Sequence, residues 1–143
     1  QRREEFKEEL KKLNMGLETR LNDNVSQFSG GQRQALTLLM TVMSKPQILL
    51  LDEHTAALDP TNADIVMKLT KEFAEKYNLT VMMVTHNMQH ALDYGNRLLM
   101  MDAGEIILDI AGEEKHNLTM NDLSTKFKAI RKHGIVSDKM MLS

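Results

Sequence analysis

The sequence lacks three features that would have placed it in a narrow class of proteins. It contains no cysteine, which excludes both a disulfide framework and thiol chemistry. It has no apolar run close to the roughly 20 residues that a membrane-spanning helix needs. It also has no excess of one charge, because 18 basic and 20 acidic side chains give a net charge of −2. Charge therefore offers no argument for binding to nucleic acid or to an anionic membrane.

The length and the hydrophobic fraction of the chain suit one folded domain. Of the 143 residues, 42% are hydrophobic, which is enough for a core. The charged N-terminus lacks the apolar segment of a signal peptide. Because the chain does not begin with Met and opens inside a helical pattern, we expect it to be a piece of a longer protein.

The most informative stretch is an apolar run that leads directly into two acids. Ile48–Leu51 follows Pro46 and precedes Asp52 and Glu53. Such a run predicts a buried strand of a parallel sheet. Carboxylates at the end of a buried strand are costly unless a cation or a hydrogen-bond network meets them, and strand ends are where α/β proteins bind ligands. The pair therefore predicts Mg²⁺ with a phosphate-bearing ligand; a strand followed by a helix-capping acid is the alternative.

Hydrophobic periodicity predicts further helices and strands. Helical patterns cover Glu4–Met15, Gln32–Ser44, Asp59 to about Lys76, Asn87 to Tyr94, and Thr119 to about Lys132. Strand patterns cover Thr80–Thr85 and a hairpin of Arg97–Met101 and Glu105–Asp109. The strand–helix–strand order around Asp59 predicts two parallel strands with a right-handed crossover. The tail to Ser143 is expected to be loose.

Three further motifs suit phosphate chemistry. Ser29-Gly30-Gly31-Gln32 stands at a helix start, where small residues and free N–H groups favour an anion; a flexible linker is the alternative. Asp59 follows Ala57-Leu58 and precedes Pro60, which predicts a helix N-cap. His86 ends the second parallel strand, so it should lie beside Asp52 and Glu53, where its ring can donate to a phosphate oxygen. The remaining histidines with a predicted role, all as solvated surface residues, are His90, His116 and His133.

In this order, from about Glu18 to Asp109, the motifs resemble the nucleotide-binding subunit of ABC (ATP-binding cassette) transporters. The resemblance implies an α/β fold: a partial P-loop NTPase (ABC ATPase) fold of parallel strands with flanking helices, plus a C-terminal β-hairpin and helix. It also assigns each motif. Ser29, Gly30, Gly31 and Gln32 become the signature motif, Ile48–Glu53 the Walker B strand, Ala57–Asp59 the D-loop, and His86 the switch histidine.

The resemblance implies a site shared between two subunits. Glu53 acts on the attacking water and His86 on the γ-phosphate, while Asp52 holds Mg²⁺ through water. The signature motif contacts ATP held by the other subunit, and Asp59 lies at the dimer interface. The implied cofactors are ATP and Mg²⁺. The implied partners are a second identical or different ATPase subunit and transmembrane permease subunits, at the cytoplasmic face of a bacterial cell membrane, with no nucleic acid expected.

The resemblance also divides the chain into three parts and shows two substitutions. Residues 1–44 match part of the helical subdomain with the signature motif, residues 45–112 a partial RecA-like catalytic core, and residues 113–143 a C-terminal helix and tail. Phe28 stands where Leu is commoner, and His54 stands where Pro is usual after the acid. We expect His54 to alter the stiffness of the loop and not to act in catalysis.

The main departure from the family is a missing motif. No Gly-x-x-x-x-Gly-Lys-Ser/Thr occurs in the sequence, and neither the adenine-stacking aromatic residue nor the glutamine loop is identifiable. In the family these precede the helix at Glu4–Met15, so the chain resembles the C-terminal portion of an ATPase. Without the P-loop most phosphate contacts are missing, and we expect the isolated chain neither to bind ATP tightly nor to hydrolyse it.

Loss of the P-loop strand also has a consequence for the sheet. In the family that strand lies between the strand ending at His86 and Arg97–Met101. Its absence exposes two strand edges, which are prone to pair with other strands. We expect the two strands to pair directly with each other, or another chain to fill the gap.

Three functions remain open at this stage. The leading hypothesis is an ATP-hydrolysing subunit, or its fragment, that energises solute transport; the segment from Asp52 to Pro60 is weakly similar to bacterial importers of amino-acid-like or other small solutes. An ABC-type ATPase of DNA maintenance or translation is the second, although Gln32 and His86 favour the transporter. A non-catalytic partner module is the third, and the intact Glu53 and His86 argue against it.

Overall fold

The computed structural model describes the backbone of residues 2–141 and the side chains of residues 3–132. Its α-helices are α1 (Arg2–Lys12), α2 (Gly30–Met43), α3 (Pro60–Lys76), α4 (Met88–Asp93), α5 (Gly112–His116) and α6 (Met120–Met141). Its strands are β1 (Ile48–Asp52), β2 (Thr80–Val84), β3 (Arg97–Asp102) and β4 (Glu105–Ala111). Short 3₁₀ helices at Leu17–Thr19 and Val25–Gln27 connect α1 to α2. The chain divides into a first unit, Gln1–His86, and a second unit, Asn87–Ser143.

The first unit joins a parallel pair of strands to three helices. β1 pairs with β2 in parallel, with Leu49 opposite Val81 and Asp52 opposite Val84. The predicted strand–helix–strand unit, with α3 between the strands, is therefore confirmed. Because the strands are parallel, their carboxyl ends lie at the same edge of the sheet. That edge is where Asp52 ends β1.

The core of the first unit brings these helices against one face of β1. Its buried apolar side chains are Leu10, Leu13, Leu17, Phe28, Ala35, Leu38, Leu39, Val42, Leu49, Leu51, Leu69 and Phe73. The helical members recur three or four residues apart, which places them on one face of each helix. Phe28, the apolar residue before the signature motif, is one of them, so it anchors the start of α2 in the core.

The prediction that β1 is buried is only half right. Leu49 is 3% exposed, but its neighbour Leu50 is 67% exposed. Successive side chains of a strand point to opposite faces, and only one face of β1 meets the core cluster. Met82 and Val84 of β2 are also exposed. Parallel sheets are usually covered on both faces, so the first unit presents an apolar sheet face.

The second unit contains the predicted hairpin. β3 and β4 pair in antiparallel fashion with Leu98 opposite Ile110, and the register shifts between Met100 and Met101. Gly104 turns the chain with a φ of 83°, which suits glycine because it has no Cβ. The hairpin forms where the sequence pattern placed it.

A buried lysine shapes the second unit, and the sequence did not reveal it. Lys115, on the unpredicted helix α5, is 5% exposed. Its Nζ donates to the carbonyl oxygens of Leu92, Tyr94 and Gly95, the last two at 3.0 Å. Burial lowers the pKa of Lys115. The N–H groups of Lys115 bind carbonyl groups at and after the C-terminus of α4. Carbonyl groups at a helix C-terminus have no hydrogen-bond partner within the helix.

The prediction that His90 is solvated is wrong. Its side chain is 7% exposed and lies edge-to-face against Tyr94, with ring centroids 6.0 Å apart. Both residues lie one helical turn apart around the end of α4, which brings their rings together. His116 is exposed as predicted. The side chain of His133 lies outside the described residues.

The final helix begins as predicted but continues further. Thr119 and Asp122 bond reciprocally: the Asp122 amide donates to Thr119 Oγ1, and the Thr119 amide donates to Asp122 Oδ2. This cap starts α6. The helix runs to Met141 and not to about Lys132, so the expected loose tail is wrong up to that residue. Residues 142 and 143 lie outside the described residues.

The expected direct pairing of β2 with β3 is wrong. Among the described residues β2 pairs with β1, and β3 pairs with β4, in two separate sheets. The alternative, that another chain fills the gap, stays a prediction. So does the division into parts 1–44, 45–112 and 113–143.

Candidate functional site

All residues predicted for the site lie in the first unit. Ser29–Gln32, the predicted signature motif, stands at the start of α2, Asp52 ends β1 and Glu53 follows it, Asp59 precedes α3, and His86 follows β2. Each of them therefore stands at the end of a regular element. Helix and strand ends carry backbone groups without internal partners, which is why ligands are commonly bound there.

The predicted signature motif, Ser29–Gln32, is an ordered helix start. Ser29 Oγ accepts from the Gln32 amide at 3.1 Å, and Gln32 Oε1 accepts from the Ser29 amide at 2.9 Å. This reciprocal pair is a capping box. Gln32 also donates to the Met15 carbonyl at 3.2 Å, which ties α2 to the end of the preceding segment. The Gln32 amide donates to a lone pair of Ser29 Oγ, so the hydroxyl proton of Ser29 remains available to donate.

The two glycines bring α2 close to the residues around Asp59. A Cβ on Gly31 would lie 2.7 Å from Oδ1 and 2.9 Å from Cγ of Asn62. A Cβ on Gly30 would lie 3.1 Å from Leu58 Cδ2. Gly31 thus has a packing role within its own chain, in addition to any close approach to a ligand.

Asp59 is the predicted N-cap of α3. Its Oδ1 accepts from the Asn62 amide at 3.1 Å, and its Oδ2 accepts from Asn62 Nδ2 at 2.6 Å. These bonds lower the pKa of the exposed Asp59 carboxyl. Asn62 contacts Gly31 and Asp59 at once. Gly31 and Asp59 are therefore joined through the side chain of Asn62.

Glu53 and His86 meet at the sheet edge, as their positions after parallel strands predicted. The Glu53 amide donates to the Val84 carbonyl at 2.9 Å, which continues the β1–β2 pairing by one residue. Glu53 Oε1 then lies 2.5 Å from Nε2 of the exposed His86. Asp52 is exposed at the same edge. A carboxylate and an imidazole in contact and open to solvent can orient a water molecule or a phosphate oxygen.

The loop after Glu53 is held by both neighbouring helices. Gln34 Nε2 on α2 donates to the His54 carbonyl, and His54 Nε2 lies 3.1 Å from Thr70 Oγ1 on α3. The Ala56 amide donates to the Glu53 carbonyl at 2.9 Å. The acid thus precedes a turn that is fixed at several points.

The chain is similar to known proteins. A family model described as ABC transporter matches residues 1–56. The chain is 46% identical over 119 residues to the tyrosine transport ATP-binding protein of Clostridioides difficile (strain R20291), covering 83% of this chain and 47% of that protein. It is 36% identical over 116 residues to the methionine import ATP-binding protein MetN of Streptococcus pneumoniae (strain ATCC BAA-255 / R6), covering 78% and 33%. The chain belongs to the ABC transporter family.

Solved structures of the family share the fold. An ABC transporter in an inward-facing conformation matches with a TM-score of 0.66 and 31% identity, over 83% of this chain and 45% of that one. An ATP-binding cassette of an ABC transporter in its ADP conformation matches with a TM-score of 0.65 and 27% identity, over 76% and 42%. The fold is a partial ABC ATPase fold of the α/β class. The chain spans about half the length, or less, of these relatives.

Three residues of the ABC site region were missed from the sequence. Asn62 stands three residues after the N-cap Asp59, a spacing typical of reciprocal caps, and that spacing could have revealed it. Thr70 interrupts the apolar face of α3, which is a signal for a buried polar contact. Gln34 gives no local signal, because its bond to the His54 carbonyl depends on how α2 packs.

The carboxylates at the sheet edge suit Mg²⁺ only if a nucleotide supplies further oxygen ligands. Within residues 3–132, whose side chains are described, no cluster of three or more His, Asp or Glu could hold a metal. Asp52 is the carboxylate available at the sheet edge. Mg²⁺ commonly binds through one or two carboxylates, several waters and substrate phosphates. Asp52 fits that role.

A search of the described helices finds none that is both long and apolar enough to cross a membrane.

Proposed function

We propose that this chain is the C-terminal portion of an ATP-binding subunit that energises solute transport by an ABC transporter. The observation that carries the proposal is the contact between Glu53 and His86, 2.5 Å apart just past the ends of two parallel strands. Glu53 would orient the attacking water, and His86 would donate to the γ-phosphate. Removal of a positioned base or donor commonly slows such reactions by about 10²–10³-fold.

The remaining site residues would bind the nucleotide from two sides. Asp52 would hold Mg²⁺, which neutralises charge on the phosphates during transfer. Ser29, Gly30, Gly31 and Gln32 would meet the γ-phosphate of ATP held by a partner subunit, with the N-terminus of α2 directed at the anion. Asp59 would stand at the interface between the two ATPase subunits, where Asn62 keeps its carboxylate oriented.

The similar proteins support a proposal for the partners and the transported solute. We infer two ATPase subunits docked on transmembrane permease subunits at the cytoplasmic face of a bacterial membrane. Two of the similar proteins are named for tyrosine transport and for methionine import. Amino acids are therefore the solute class we propose.

A chimeric subunit tests the catalytic assignment. It joins this chain to the N-terminal half of the C. difficile relative, the half that carries the P-loop in this family. We expect the chimera to hydrolyse ATP, and Glu53→Gln to reduce the rate at least about 100-fold while ATP still binds. Glu72→Gln, on the exposed side of α3, is the matched control. A folded chimera that is inactive, or equal rates for Glu53→Gln and Glu72→Gln, contradicts the proposal. Stimulation of hydrolysis by DNA or ribosomes would instead favour an ABC-type ATPase of DNA maintenance or translation.

The isolated chain provides the complementary test. Because the P-loop contacts are missing, we expect ATP affinity weaker than micromolar and no hydrolysis by the 143-residue chain. Calorimetric titration with Mg²⁺–ATP measures the affinity. Micromolar binding, or hydrolysis that Glu53→Gln abolishes in the isolated chain, would be incompatible with this expectation.

A further inference from the structure

The loop after β1 is fixed to two helices at a single residue, His54. Its backbone carbonyl accepts a hydrogen bond from Gln34 Nε2 on α2. Its ring Nε2 lies 3.1 Å from Oγ1 of Thr70 on α3. Thr70 is 5% exposed, so this contact is made inside the first unit. His54 therefore joins the loop to both helices that flank the sheet edge.

The hydrogen-bond network sets the direction of the ring contact. Thr70 Oγ1 donates to the Val66 carbonyl at 2.8 Å. A hydroxyl has one proton to donate, so Thr70 must accept from the ring. The proton of His54 is thereby assigned to Nε2. Loss of this donor would leave a buried hydroxyl oxygen without that partner, which is unfavourable.

The residue before His54 has an unusual backbone conformation. Glu53 has a φ of 46°, in the left-handed region that side chains other than glycine rarely adopt. Such a conformation persists only where the surroundings hold it. The Glu53 amide donates a hydrogen bond to the Val84 carbonyl, and the Glu53 carbonyl accepts one from the Ala56 amide. The two bonds of His54 hold the next residue of the turn.

We propose that His54 is a positioning residue for Glu53. By tying the turn to α2 and α3, it keeps Glu53 in the left-handed conformation in which its carboxylate meets His86. Proline, the usual residue here in the family, restricts the backbone through its ring and has no side-chain donor for Thr70. Proline would still present the backbone carbonyl that Gln34 binds, so the ring contact with Thr70 is the part that replaces the covalent restriction in this chain. The effect on hydrolysis rests on the function proposed above, whereas the effect on the turn does not.

Amide hydrogen exchange of the 143-residue chain, followed by NMR, tests the effect on the turn. His54→Ala and Thr70→Val remove the ring contact from opposite sides, so each should speed exchange at the Glu53 and Ala56 amides about tenfold. The double variant should match the single variants, because both remove one interaction. Thr70→Ser and His54→Gln keep a hydroxyl and a donor, and should stay within about twofold of the parent chain.

Thr41→Val is the matched control. Thr41 also bonds the carbonyl four residues before it, at 2.8 Å, but on the exposed side of α2. It should leave exchange at Glu53 unchanged. Equal exchange in the parent chain and His54→Ala, or additive effects in the double variant, would overturn the proposal.

The chimeric subunit then separates positioning from catalysis. In it, His54→Ala and Thr70→Val should lower kcat about tenfold with KM unchanged, because Glu53 acts on water and not on nucleotide binding. Thr70→Ser, which keeps the hydroxyl, should have the kcat of the parent chimera. Faster exchange with unchanged kcat would keep His54 as the residue that positions the turn and refute the claim that this positioning serves hydrolysis; the catalytic role of Glu53 itself is tested by Glu53→Gln. Unchanged exchange with lower kcat would refute the positioning role of His54.

Discussion

The two units use polar side chains in opposite ways. In the first unit, Glu53 and His86 meet where solvent can reach them. In the second unit, Lys115 is buried and donates to three backbone carbonyls. An accessible polar pair can meet a ligand, whereas a buried group satisfied by the backbone stabilises a fold. Substitution of Glu53 or His86 should therefore change hydrolysis more than stability, and substitution of Lys115 the reverse.

The largest effect should come from His86. His86→Ala in the chimeric subunit should slow ATP hydrolysis by about 10²–10³-fold, because one donor to the developing charge is lost. His116→Ala, an exposed histidine of the second unit, is the control and should keep the parent rate. Steady-state phosphate release measures both. If both variants hydrolyse at the same rate, the two units do not differ in the way described.

Lys115 should give the largest change in stability. Lys115→Met leaves the carbonyls of Leu92, Tyr94 and Gly95 without this donor and should lower the free energy of unfolding by about 2–3 kcal/mol. Urea unfolding of the 143-residue chain measures the change. Lys128→Met, on an exposed position of α6, should stay within about 0.5 kcal/mol of the parent. Equal midpoints for the two variants would refute the structural role of Lys115.

The same contrast explains what the sequence could and could not reveal. The parallel pair, the N-cap Asp59 and the meeting of Glu53 with His86 follow from local patterns and from the rule that parallel strands end at one edge. His90 was predicted to be a solvated surface residue and Lys115 was not singled out, because a charged or polar side chain shows its burial only once a distant segment packs over it. The exposed face of β1 was missed for a related reason, since an apolar run does not say how many faces are covered.

The helix-start motifs offer a test of an intermediate effect within the first unit. Gly31→Ala should cost about 1–3 kcal/mol of unfolding free energy, because its Cβ would overlap Asn62. Gly30→Ala should cost less, since it meets the end of the flexible Leu58 side chain. Adding Asn62→Ala to Gly31→Ala should remove this overlap and recover part of the lost free energy of unfolding. Urea unfolding decides this, and a double variant no more stable than Gly31→Ala would show that the glycine is not needed for packing.

The smallest effect concerns pH. Hydrogen bonds from Asn62 lower the pKa of Asp59, and bonds from Arg97 lower the pKa of Asp109 in the second unit. A lowered pKa means that each carboxylate stabilises the fold above the ordinary pKa of aspartate, and that this contribution is lost as pH falls through the lowered value. Asn62→Ala should raise the pKa of Asp59 towards its ordinary value and leave that of Asp109 unchanged. Carboxyl NMR titration measures both, and equal shifts would contradict this assignment.

The central proposal is that Glu53 and His86 are the catalytic acid and histidine of an ABC site whose phosphate-binding loop lies outside this chain. The most direct measurement is the rate of ATP hydrolysis by the isolated chain and by the chimeric subunit, each with and without Glu53→Gln. We predict no hydrolysis by the isolated chain, and hydrolysis by the chimera that Glu53→Gln abolishes. Glu53-dependent hydrolysis by the isolated chain, or a chimera indifferent to Glu53→Gln, would contradict it.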